Sequence, residues 1–135
     1  MSKVEVENLL RKAERKLRAA KELLKLGEYE DTVSRAYYCI FHAAKAALAL
    51  EQSFPKTHEG TIREFGLKFI KDGKLPKELG IIFSDARSLR ETADYAVTPL
   101  IGLEDAKWSV EAAERFLKQI SKYLRRMKAL GRTHV

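Results

Sequence analysis

Residues 33–50 read VSRAYYCIFHAAKAALAL. Within them Val33, Tyr37, Ile40, Phe41, Ala44 and Leu48 recur at the three-and-four spacing of one helical face. The flanks of that stripe hold Ala36, Cys39, Ala43, Ala46, Ala47 and Ala49 where a surface helix would carry charge. A helix that is apolar nearly all round is buried on more than one side. The segment from about Glu28 to Leu50 is therefore expected at the centre of a helical bundle, its alanines letting neighbouring helices approach closely.

The neighbours are legible on either side. Val6, Leu10, Ala13, Leu17, Ala20 and Leu24 form one amphipathic stripe that stops at Gly27. Leu103, Ala106, Val110, Ala113, Leu117, Ile120, Leu124 and Met127 form another, with Pro99 and Gly102 before it and Gly131 after it. Between them, Thr57 is a plausible N-cap for a helix burying Ile62, Phe65 and Phe69, and Pro76 can open a helix burying Ile82, Ala86, Leu89 and Ala93. The pattern predicts helices near 4–26, 29–50, 58–71, 76–96 and 103–128, with no strand, repeat or Gly-rich loop. Short connections make an all-α, up-and-down antiparallel bundle of about five helices the economical fold, as one domain over 1–135. Phe41, Ile40, Leu48, Phe65, Leu89, Leu117 and Leu124 are expected among the most buried side chains.

Composition bounds the setting. A chain of 135 residues can bury a core unaided, and the single cysteine, Cys39, allows no internal disulfide. A lone thiol in an apolar run fits a reducing compartment, so the cytoplasm is the expected location. The start of the chain lacks an apolar leader segment, and no stretch approaches the roughly 20 apolar residues of a membrane span. The net charge is +7, and from Arg115 onward Arg115, Lys118, Lys122, Arg125, Arg126, Lys128 and Arg132 meet no acid. Such a face can attract phosphate-rich partners, but basic residues near a helix C-terminus also complement the helix dipole and solvate a surface.

Some polar residues are not required by the fold. Arg35, Tyr38, His42 and Lys45 lie on one stripe of the central helix, opposite its core stripe. Arg87, Arg90 and Asp94, with Tyr95 adjacent, form a second stripe on the fourth helix. Convergence of the two stripes would gather arginines, a histidine and tyrosines in a cleft suited to phosphate or an RNA backbone. Asp94 would hold an arginine in place. Structural ion pairs across the bundle would use the same residues. His58 opens the third helix, where a helix N-terminus favours anions. The histidines lack metal-ligand spacing, and neither a metal nor another cofactor is expected.

The run SRAYYCIFHAAK at 34–45, then Thr57-His58-x-Gly60, then Leu89-Arg90-x-x-Ala93-Asp94-Tyr95, resembles the small stand-alone prokaryotic branch of the HEPN family. The likeness extends from about Val6 to Lys122. It implies an antiparallel bundle, a homodimer, and pairing with a minimal nucleotidyltransferase in a two-gene toxin–antitoxin module. It also implies a metal-independent ribonuclease whose signature is an arginine followed, four to six residues on, by a histidine on a late helix at the dimer cleft. Arg90 fits the arginine, but Tyr95 stands where the histidine belongs. Arg35 and His42 satisfy the spacing on an early helix. The expected function is an RNA- or nucleotide-binding, toxin-like HEPN protein, with Arg90, His42 and Tyr95 as catalytic candidates. Arg35, Tyr38, Asp94, Arg87, Lys45 and His58 are the binding or supporting candidates. The alternative is a non-catalytic dimeric interaction or nucleotide-sensing module.

Overall fold

The computed structural model describes residues 2–98, 100–129 and 131, without the side chains of Ser2, Lys3 and Ala129. Pro99, expected before the last helix, and Arg132, counted in the basic run, lie outside the described residues. The elements are α1 (Ser2–Lys25), α2 (Tyr29–Leu50), α3 (His58–Phe65), α4 (Lys77–Tyr95) and α5 (Leu103–Ala129). No strand occurs among the described residues. The third expected helix is interrupted: after Phe65 it widens into a π-helical turn, Gly66–Ile70, closed by the bond from Lys71 N to Gly66 O at 2.8 Å.

Chain direction follows from side-chain neighbours. Cys39 lies against Ala113, and Leu50 shares a groove with Tyr123 and Arg126, so α2 and α5 run the same way. Arg90 meets Tyr38 while Glu78 meets Arg115, which sets α4 antiparallel to both. α1 folds back on α2 through Gly27, whose φ of +76° is open to glycine. The result is an antiparallel bundle in which α2 packs against α1, α4 and α5. Its alanines at 36, 43, 44, 46, 47 and 49 are fully buried. The crowded central helix thus finds neighbours on α1, α4 and α5.

The core is continuous and aromatic at its middle. Phe65, Phe83 and Phe116 pack with ring centroids 5.3–5.8 Å apart, and the Tyr37 ring lies 6.2 Å from Phe83. Ile40, Leu48, Phe65, Leu117 and Leu124 are buried as the periodicity requires. Phe41 and Leu89 are only half-buried. Leu89 packs with the small cluster of Val33, Ala93 and Ile101 at the end of the bundle. Phe41 borders the polar residues described next. Among the described residues no helix is long and apolar enough to cross a membrane.

Candidate functional site

The site grows outward from a core tyrosine. Tyr37 belongs to the apolar stripe of α2 and its side chain is fully buried, yet its hydroxyl reaches Nδ1 of His58 at 2.7 Å. Burial, outweighing nearby Arg87 and Arg90, pushes the phenol well above its ordinary range, so it stays protonated. Among the described residues the buried hydroxyl has no other acceptor, so donation to Nδ1 is the arrangement that satisfies it. The neutral His58 ring therefore carries its proton on Nε2 and presents an N–H donor. Burial, then the charges of Arg90, Arg87 and Lys45, hold His58 below the usual histidine range. His58 is placed by local structure: Thr57 caps α3 by accepting from Gly60 N at 2.8 Å, and the imidazole stacks on Phe41 at 4.4 Å.

α4 supplies the arginines. Arg90 Nη2 donates to the Tyr38 hydroxyl at 2.9 Å, and its guanidinium lies over the rings of Tyr38 and Tyr37 at 5.3 and 5.7 Å. Asp94 Oδ2 sits 2.8 Å from Arg90 Nε but off the axis of that N–H, so the contact is Coulombic rather than a directed hydrogen bond. Arg87, one turn earlier, reaches Glu59 and Glu91 only at 3.6 and 3.7 Å, and its Nε is buried with no partner. Two largely buried guanidiniums thus face the same side as His58, one fixed and one loosely held.

His42 continues the site along α2. Its ring lies 6.1 Å from Tyr38 and 5.5 Å from Phe41, and Lys45 stands over Phe41 at 5.4 Å. His42 is 9% exposed and its Nδ1 is buried without a hydrogen-bond partner. Burial, then the cations Lys12, Lys16 and Lys45 and the neighbouring His58, lower its pKa to about 4. Both histidines are therefore uncharged at neutral pH. Among the described residues no group of three His, Cys, Asp or Glu side chains is placed to hold a metal ion.

The structure brings together Tyr38, His42, Lys45, His58, Arg87, Arg90 and Asp94. Two candidates stand outside this network: Arg35 and Tyr95 are both exposed and make no hydrogen bond, ion pair or ring contact with it. Arg35 is seven positions from His42, roughly 10 Å along the helix, so the elements that cover His42 need not cover it. Tyr37 and Phe41 are the members that sequence reading assigns to the core. No signal in the spacing separates a core tyrosine from one whose hydroxyl emerges at a helix crossing. The fourth-helix stripe also omits Glu91, which with Glu59 holds Arg87.

The profile of the HEPN domain matches residues 6–123. Two proposed toxins of Methanocaldococcus jannaschii are similar over nearly the whole chain. One is 38% identical over 122 residues, covering 90% of this chain and 83% of that protein. The other is 40% identical over 121 residues, covering 90% of each. Among solved structures, a protein of Thermus thermophilus superposes with a TM-score of 0.75 at 17% identity, over 87% of this chain and 97% of that one. That likeness is one of fold. The chain belongs to the HEPN family, in the small prokaryotic branch to which these relatives also belong.

Proposed function

We propose that this HEPN protein binds RNA at the Arg90–Tyr38–His58 cluster and acts as the toxin half of a two-protein module. The other half is a minimal nucleotidyltransferase. The observation that carries the reading is Arg90, 16% exposed at its side chain, aimed by Tyr38 and Asp94 beside two uncharged histidines. A bidentate guanidinium and a neutral N–H donor suit a phosphodiester. Glu59 and Glu91 lie at long range from Arg87, and an arriving phosphate would displace them from it. The names of the Methanocaldococcus relatives support the toxin assignment.

The chemistry such a site can support is transesterification. A 2′-hydroxyl attacks the adjacent phosphorus, the 5′-oxygen leaves with a proton, and a 2′,3′-cyclic phosphate and a 5′-hydroxyl end result. Arg90 would stabilise the charge on the phosphoryl oxygens, with the His58 Nε2–H donating to them, and His42 would move the proton. Tyr95 makes no hydrogen bond or ring contact with Arg90, so the part of the missing late-helix histidine would be taken from α2. Incubating the protein with total RNA in chelator tests this. Cyclic-phosphate ends support cleavage, whereas binding without them favours the second reading, a non-catalytic dimeric interaction or nucleotide-sensing module, which the exposed Tyr95 favours.

Dimerisation belongs to the same reading. Tyr95, Val97 and Leu100 are 73%, 100% and 70% exposed next to Asp94. An apolar group of this kind marks a contact surface, and a second copy there would place the cluster beside the two-fold axis. The domain is read as one unit over 1–135, working in the cytoplasm.

A further inference from the structure

We infer that the RNA path continues from the arginine cluster onto α1, where Lys12 and Lys16 bind the phosphodiester backbone together with Lys45 of α2. This rests on the RNA reading above and extends it to a helix outside the family's arginine–histidine pattern. α1 packs along α2, and its Leu9, Ala13 and Leu17 join the shared core. Lys12 and Lys16 each precede one of these core positions and are four residues apart, so they stand one above the other at the edge of the α1–α2 seam. Neither has a carboxylate partner among the described residues. Elsewhere in the chain, Lys21, Lys25 and Lys74 each have one.

At that seam sits His42, nine-tenths buried, with an unpartnered Nδ1. The cations bearing on it are Lys12 and Lys16 from α1 and Lys45 from α2, and the titratable but neutral His58 of α3 faces it as well. A stability-driven design would place a carboxylate among three lysines around one imidazole. Among the described residues none of the largest charge effects on it comes from a carboxylate, and the net positive potential is a seat for an anion. The seat is continuous with the arginine cluster: Tyr38 touches Arg90 and lies 6.1 Å from His42, while Phe41 carries both His58 at 4.4 Å and Lys45 at 5.4 Å. Cations flanking half-buried rings along one lane are the arrangement that tracks a single strand.

The test is binding of a short oligouridylate, followed by fluorescence anisotropy over a salt series. Each phosphate contact on a single strand contributes about 0.7 to the slope of log K against log salt, so the double variant Lys12→Gln/Lys16→Gln should lower the slope by about 1.4. Lys71→Gln/Lys77→Gln, which removes the same charge beyond α3, should leave it unchanged. In parallel, nuclear magnetic resonance should show the oligonucleotide raising the His42 pKa in the wild type and raising it less in the α1 variant. An unchanged slope in the α1 variant, or equal losses in both variants, overturns the path while leaving the arginine site standing. Wild-type protein that binds no oligouridylate overturns both. Loss of binding on α1 substitution but not in Arg90→Ala overturns the arginine site alone. A polyglutamate peptide bound as tightly as the oligonucleotide would assign the seat to an acidic protein and overturn the path.

Discussion

The Tyr37 hydroxyl lies 2.7 Å from His58 Nδ1, so a fully buried core side chain sets the tautomer of a ring at the surface. The link joins the aromatic core to the site. Nitrogen-15 spectra should show His58 protonated on Nε2 and bare on Nδ1. Tyr37→Phe should mix the two tautomers and cost about 1 kcal/mol in urea unfolding. A single unchanged tautomer in the variant would contradict the link.

Stability should depend on acid in a defined window. The His42 pKa is about 4 in the folded chain against an ordinary value of 6.5, so the unfolded state takes up the proton first. Stability is fully present above pH 6.5 and is lost as pH falls from there to about 4, below which this contribution is constant. A tenfold difference in proton affinity is worth about 1.4 kcal/mol, so the loss is on the order of 3 kcal/mol. His58, also lowered, acts in the same direction. His42→Gln should flatten much of this slope in denaturant titrations across pH, and an undiminished slope would assign it to other groups.

The cap that positions His58 is tight enough to probe by substitution. A Cβ at Gly60 would stand 2.9 Å from Thr57 Oγ1, the atom that accepts from Gly60 N. Gly60→Ala should therefore displace the cap, and Thr57→Ala should remove it at a cost of about 1 kcal/mol. Both should broaden the His58 resonances more than those of α5. Equal effects on the two regions would mean that the cap does not control His58.

A dimer is expected at micromolar concentrations in sedimentation. Val97→Asp/Leu100→Asp should yield a folded monomer, since both side chains are exposed in the single chain. A wild-type monomer, or a variant that remains dimeric, would remove this face from the account.

Much of the fold is written in the periodicity. The α5 stripe from Leu103 to Met127 and the alanine-rich α2 predict their helices to within a residue or two, because one core dictates the three-and-four spacing. The π turn after Phe65 leaves no such mark. Spacing also places Arg35 on a stripe with Tyr38 and His42 but cannot say how deep each lies. Depth depends on which helix crosses above, and that is a tertiary fact. For the same reason spacing alone puts Phe41 in the core. The Arg90–Asp94 pair, four residues apart on one helix, is within reach of the sequence; the Tyr37–His58 bond, 21 residues apart across two helices, is not.

The central claim is that Arg90 is there for RNA and not merely for the bundle. It is tested most directly by oligouridylate affinity in wild type, Arg90→Lys and Arg90→Ala, with helical content and sedimentation measured on the same samples. Lysine cannot reproduce the fork that reaches both Tyr38 and a phosphate, so both variants should bind at least about tenfold more weakly, a loss of about 1.4 kcal/mol or more, with fold and association retained. Wild-type affinity in Arg90→Ala, or a variant that unfolds without any RNA binding by the wild type, would contradict the account and leave the cluster as an ion-paired element of the bundle.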